Sequence, residues 1–239
     1  VEIFLLIAIL SIVQSLFGVG LLLFGTPIML MMGHDYFHAL LYLLPASAAL
    51  SWSQVKDTLH VNLDGGYRKL FFIICLPALF FGMMFAQHFD LKWEIKLFIT
   101  VMLFVSFIIR SATSFREKIQ EGMRKNPSSA LLFMGLVHGL SNMGGSILTP
   151  LVSSLYTDKI KILAGVSFDY AFMATFQLIV LVFMQGHEFK AHYLIGSAVS
   201  LTVRYLIGKR VFSFTSEIGY QRLINTLILA SAVVLGMNL

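Results

Sequence analysis

The sequence predicts an all-α polytopic membrane protein, with about eight transmembrane helices in two four-segment repeats, each opening with a Gly/Pro-broken helix. Three observations carry this expectation. Hydrophobic residues make up 58% of the chain and charged residues only 12%, against about 25% charged in ordinary globular domains. Mean hydropathy is +0.85. Glycines precede a Thr-Pro pair in each half, at Thr26-Pro27 and Thr149-Pro150. So apolar a chain has too little polar surface to cover a water-soluble globule. The same composition excludes disorder, collagen and a disulfide scaffold.

A membrane-spanning helix needs about 20 mostly apolar residues. Eight regions approach that: 3–33, 36–55, 70–87, 96–113, 129–156, 161–186, 192–208 and 223–238. The first uncharged run, Ile3–Gly33, is far too long for the apolar part of a signal peptide, and no Lys or Arg precedes it. Regions 36–55, 70–87 and 96–113 read as ordinary spans, some short enough to need polar ends. The charged stretch Phe115–Asn126 follows them and forms the natural boundary. The expected organisation is a first repeat over 1–114, a charged central loop over 115–128 and a second repeat over 129–239.

The two opening runs are abnormal. Ile3–Gly33 contains no Asp, Glu, Lys, Arg or His, and within Asn126–Thr157 His138 is the single residue of those five types. A straight helix of either length would extend about 46–48 Å, against a hydrocarbon core of about 30 Å. Each must therefore tilt strongly, break or fold back. Gly18, Gly20 and Gly25 supply breakers in the first, and Gly139, Gly144 and Gly145 in the second. The Thr-Pro pairs lie 123 residues apart, about half the chain, which suggests an internal duplication. Matching Gly/Pro interruptions in two halves point to a transporter's binding site. Unwound backbone persists at membrane depth only where protein or a water-filled cavity covers it.

The net charge is +5, but the basic residues sit mostly between apolar runs, where they orient spans. No basic stripe with interleaved aromatics exists, so nucleic acid is not an expected partner. Cys75 is the single cysteine and can form no internal disulfide. Positive charge is densest in the central stretch, which favours placing it and both termini on the cytoplasmic side. Four crossings per half would make the repeats parallel; fold-back of the long runs would change both the crossing count and the symmetry.

The segment Gly135-Leu-Val-His-Gly-Leu-Ser-Asn-Met-Gly144-Gly145-Ser-Ile-Leu-Thr-Pro150-Leu151 resembles the glycine run, proline and leucine of the TauE/SafE family, also called TSUP permeases. The first half resembles it more weakly, because Leu21-Leu22-Leu23 stand where further glycines are expected. The resemblance implies a secondary permease for a small sulfur-containing anion such as sulfite, a sulfonate or thiosulfate, in a bacterial-type inner membrane. The expected partners are that anion and the lipid bilayer, with a homodimer or a membrane partner subunit as options. No cofactor and no enzymatic activity are expected. A second class stays open: a non-transporting membrane subunit that anchors or matures a partner.

Freed amides at the breaks would bind the anion, since half-helix N-termini carry partial positive charge and unpaired donors. The candidate substrate-binding residues are Gly18, Gly20, Thr26 and Pro27 in the first half, and His138, Asn142, Gly144, Gly145, Ser146, Thr149 and Pro150 in the second. If the second run were helical throughout, His138, Asn142, Ser146 and Thr149 would share one face, but Gly144-Gly145 is the expected interruption. The competing reading is close helix packing through small residues. Gln14, Ser15 and Gln177 are further lining candidates. Asp169, inside the sixth segment, is the candidate proton-coupling residue; its structural alternative is an ion pair with Arg204. Arg204 is also a candidate counter-charge for the anion, against snorkelling to the interface. His34-Asp-Tyr-Phe-His38 has the spacing of a metal-binding pair, preceded by Met29, Met31 and Met32. It reads better as an interfacial connection, and no metal is expected.

Overall fold

A computed structural model describes residues 1–88, 93–185, 189–214 and 217–237, and every regular element among them is helical. The first long run breaks into α1 (Glu2–Phe17) and α2 (Leu21–Met31), and α3 (Tyr36–Asp57) follows. Asp35, which lies between the paired His34 and His38, caps α3, its carboxylate accepting from the His38 amide at 2.9 Å. A cap of this kind satisfies one of the orphan amides at a helix start. Next, α4 (Gly65–Leu70) passes through a π-helical turn at Phe71–Cys75 into α5 (Leu76–His88), and α6 (Trp93–Ser111) ends the first half.

The second half also opens with a broken run. The second long run gives α8 (Pro127–Ser141) and α9 (Gly144–Leu155), and α10 (Lys159–Gln185) follows. A 3-10 turn at Ala191–Leu194 leads into α11 (Ile195–Val203), a π-helical turn at Arg204–Gly208 and α12 (Lys209–Phe214); α13 (Glu217–Gly236) closes the chain. The expected central loop is largely helical: α7 spans Thr113–Lys125, with Lys125 paired to Glu121 at 2.6 Å one turn earlier. Its polar and apolar residues alternate with helical spacing, a pattern the charge density alone does not reveal.

Among the described residues, Gly65–His88 and Lys159–Met184 are each long and apolar enough to span a bilayer, and a third span arises if α6 and α7 count together. The opening runs supply only short apolar helices, Glu2–Phe17, Leu21–Met31 and Gly144–Leu155. Fold-back explains this. A Cβ built on Gly25 would lie 3.3 Å from Leu10 Cδ1, whereas fifteen residues of straight helix would separate them by about 22 Å. Thus α2 returns along α1.

Helices α3 and α10 pack together and run antiparallel. Trp52 Nε1 donates to Thr175 Oγ1 at 2.9 Å, and the start of α10, at Gly165, approaches Leu63 just beyond the C-terminal end of α3. On the other flank of α3, Ser200 bonds to the Ala46 carbonyl and Arg204 to Ser53, so α11 runs parallel to α3. Helices α5 and α8 approach backbone to backbone through Gly82, Gly135 and Gly139. Small residues permit such close approach, which in lipid replaces the hydrophobic drive of water.

Candidate functional site

The two breaks differ in chemistry. The first lies at Gly18–Gly20, where Gly18 has φ 74° and caps α1 with its amide on the Gln14 carbonyl. That left-handed conformation suits glycine. The space does too, since a Cβ there would sit 2.7 Å from Val166 Cγ1 of α10. The second break lies at Asn142–Met143 and corrects the expectation that Gly144-Gly145 interrupts the helix. Asn142 takes the left-handed conformation, φ 64°, as the C-cap of α8, while Gly144 and Gly145 open α9. Asparagine tolerates this region better than most residues. Gly144 is needed for room: a Cβ would lie 2.5 Å from His138 Cβ.

The breaks meet inside the protein. Gly145 lies against Val19, 3.4 Å from its Cγ1 to a built Cβ. Asn142 Nδ2 donates to Thr26 Oγ1 at 3.0 Å, and Asn142 Oδ1 accepts from Gln177 Nε2 at 2.9 Å. One side chain therefore ties both broken helices to α10. His138 and Tyr170 face each other with ring centroids 5.7 Å apart, and the Tyr170 hydroxyl also reaches Gly145. The Leu23 amide of α2 lies beside the same phenol. His138, Asn142, Tyr170, Gln177 and Thr26 are all fully buried. Within this buried group, both ring nitrogens of His138, the Tyr170 hydroxyl, Gln177 Oε1 and the nearby Ser167 hydroxyl lack a hydrogen-bond partner. Buried polar atoms without partners are rare and costly, and here they cluster at the breaks.

Helix starts add donors. The first amides of a helix have no carbonyl partner within it. Gln14 Oε1 accepts from the Leu21 amide at 3.0 Å, capping α2, and Gln14 Nε2 reaches Ser51 Oγ at 2.9 Å. The Leu23 amide of α2 lies at the Tyr170 hydroxyl, and α9 begins with Gly144 beside His138 and Gly145 beside Tyr170.

Several contacts involve residues that stand half a chain apart. Gln54 Nε2 bonds to the Ser15 carbonyl and Gln177 Nε2 to the His138 carbonyl, both at 3.4 Å. Gln54 and Gln177, like Ser15 and His138, are 123 residues apart. Trp52 and Thr175, which bond to each other, share that separation.

Not every candidate joins the group. Pro27 is buried within α2, and Gly20 caps it against the Gln14 backbone. Thr149 bonds to the Gly145 carbonyl of its own helix, and Ser146 to that of Met143. Ser146 and Pro150 instead line a separate, mostly apolar cavity of about 230 Å³ beneath α7, with Ile119 and Met123. Ser15 bonds back to the Ser11 carbonyl and packs on Gly208. Asp169 and Arg204 are not partners. The Tyr67 hydroxyl donates to Asp169 Oδ2 at 2.5 Å, leaving Oδ1 buried without a partner. Arg204 pairs with Asp57 at 2.5 Å and bonds to Ser53, and Lys209 also reaches Asp57, at 2.9 Å. His34 and His38 lie with ring centroids 5.4 Å apart, but no group of three or more His, Cys, Asp or Glu able to hold a metal occurs among the described residues.

Tyr170 and Gln54 escaped the sequence reading as site residues. Gln54 had a usable signal, its 123-residue spacing from Gln177. Tyr170 had none, since an aromatic in an apolar run reads as core.

Long apolar helices beside two broken apolar runs define an integral membrane protein. The family model for the sulfite exporter TauE/SafE matches residues 3–235, nearly the whole chain, and the chain belongs to that family. No curated protein and no solved structure matches it.

Proposed function

We propose that the chain is a secondary permease for a small sulfur-containing anion such as sulfite, a sulfonate or thiosulfate, with its site where the two helix breaks meet. One observation carries the reading: amides of two broken helices and four side chains with unpartnered polar atoms share one buried group around Asn142. Family membership supplies the transport class. Backbone donors and Asn142 hold the anion. Ser146 and Thr149 shape α9 and do not touch the anion. Arg204 braces α3 against the turn that follows α11. Asp169 is the proton-coupling residue of this reading, supported by its buried, unshared Oδ1.

The repeats of this proposal are inverted. The support is that α3 and α10 run antiparallel while Trp52 and Thr175, equivalent by spacing, touch each other. Equivalent residues touch in this way at a two-fold axis between antiparallel helices. Alternating access then rocks one repeat against the other about this axis. The location that fits is a bacterial-type inner membrane.

The test is anion flux in proteoliposomes for wild type and Gly145→Leu. Gly145 is the better probe than Gly144, because a Cβ there makes only ordinary contacts at 3.4 Å. The larger side chain fills the space beside Tyr170, so flux is lost while the protein still inserts and purifies as a folded species. Undiminished flux overturns the site. Absence of flux in wild type, with a stoichiometric partner retained from native membranes, favours the anchoring subunit instead.

A further inference from the structure

We infer that the cavity beneath α7 holds an acyl chain of an anionic phospholipid from the surrounding bilayer, with the lipid's phosphate on Arg116 and Lys118. This site is separate from the helix breaks and does not depend on which anion the permease carries. The cavity walls are mostly apolar, and their two hydroxyls are already spent. Ser106 donates to the Met102 carbonyl at 2.7 Å and Ser146 to the Met143 carbonyl at 2.6 Å. A cavity so lined favours an apolar occupant. Its volume of about 230 Å³ exceeds the ~150 Å³ of a void that takes up benzene and falls below the roughly 300–1,000 Å³ of a small-molecule pocket. That size suits part of a chain rather than a whole ligand. The mouth faces lipid: Val105 of α6 and Phe133 of α8 line the cavity and are 41% and 53% exposed. In a membrane protein such apolar surface meets acyl chains.

Helix α7 supplies the charge. The chain bends by 106° between Glu94–Ile109 and Ser114–Lys125, and six of the 13 residues of α7 are charged. It therefore does not continue α6 through hydrocarbon but lies along the membrane surface. Phe115, Ile119 and Met123, four residues apart, form its apolar stripe. Ile119 and Met123 roof the cavity, while Phe115 is 48% exposed and dips towards the acyl chains. Arg116 and Lys118 flank the stripe. Neither makes a salt bridge among the described residues, whereas Lys125 is paired to Glu121. With four basic residues against two acidic ones, α7 attracts anionic headgroups, and a guanidinium fork matches a phosphate. The occupant also abuts the second broken run, since Gly145 and Ser146 are neighbours at the start of α9, one beside Tyr170 and the other on the cavity.

The experiment is native mass spectrometry of the purified full chain in neutral detergent. It is titrated with dioleoyl phosphatidylglycerol or dioleoyl phosphatidylcholine, which share their chains and differ in net charge. One phosphatidylglycerol per chain should bind at least about tenfold more tightly than phosphatidylcholine. Arg116→Gln combined with Lys118→Gln should erase that preference. Ser106→Leu fills the cavity from α6 and should weaken phosphatidylglycerol binding at least about tenfold. Ser106→Ala leaves the space open and should bind as wild type does. Equal binding of the two lipids by wild type overturns the proposal, and so does a leucine variant that binds as tightly as the alanine variant. Full competition by glycerol phosphate at equal concentration overturns it too, because a free phosphate then suffices. The unfolding temperature without lipid reports whether the leucine variant folds; if it does not, the charge pair, which lies outside the cavity, decides. None of these readouts uses anion flux, so the permease reading stands or falls separately.

Discussion

Asn142 holds the largest share of the site. It accepts the left-handed conformation that ends α8, and both ends of its amide are used. Two costs can be separated by substitution. Asn142→Gly keeps the conformation and loses the bonds to Thr26 and Gln177. Asn142→Ala loses both, adding about 1–2 kcal/mol of left-handed strain to about 1 kcal/mol for the missing hydrogen bonds. Thermal unfolding in detergent should rank wild type above Gly and Gly above Ala. An alanine variant as stable as the glycine variant would show that the cap conformation carries no strain. Asp169 illustrates the opposite case. Its position inside an apolar segment was legible, but its partner was not, because Tyr67 lies 102 residues away. Chemistry at one position can be read along the chain; pairing at that distance cannot.

At the scale of elements, helix contacts built on glycine set the geometry that positions the breaks. A Cβ on Gly139 would collide with the Leu79 carbonyl of α5, so Gly139→Ala must force α5 and α8 apart. Overpacking of this kind costs about 1–3 kcal/mol. Gly122 in α7 is the control, since a Cβ there meets nothing within 4 Å. Gly122→Ala should leave stability unchanged or raise it by about 0.5–1 kcal/mol through helix propensity. Chemical unfolding of the two variants decides: equal effects would mean that the α5–α8 approach is not tight. Length restricted both runs to a strong tilt, a break or a fold-back, and their glycines and prolines pointed to a break. The break in the second run fell two residues before the glycines expected to cause it. A single asparagine can end a helix when its side chain finds partners, and those partners, Thr26 and Gln177, come from other elements.

For the whole molecule, antiparallel α3 and α10 have a consequence that parallel repeats do not share. In the inverted arrangement proposed above, with both helices crossing the membrane, the connections after α3 and after α10 lie on opposite faces. With Cys75→Ser as background, His60→Cys and Lys190→Cys place a thiol in each connection, and both positions are exposed. A membrane-impermeant maleimide applied to intact cells should label one and spare the other until the membrane is permeabilised. Labelling of both from the same side would reject the inverted arrangement. The sequence left parallel and inverted repeats open, because fold-back of the long runs changes the number of crossings in each half.

By itself the sequence determined membrane residence and two opening runs too long for an upright span, which follow from hydropathy, helix rise and bilayer thickness, and the positions of the Thr-Pro pairs supplied the half-chain spacing. Tertiary structure alone decided which residues gather at the interruptions. Tyr170 joined them, Ser146 and Pro150 turned to another cavity, and Arg204 went to Asp57. The physical reason is separation along the chain: Asn142 and Thr26 stand 116 residues apart, and only the packing of α2, α9 and α10 brings their polar atoms within bonding distance.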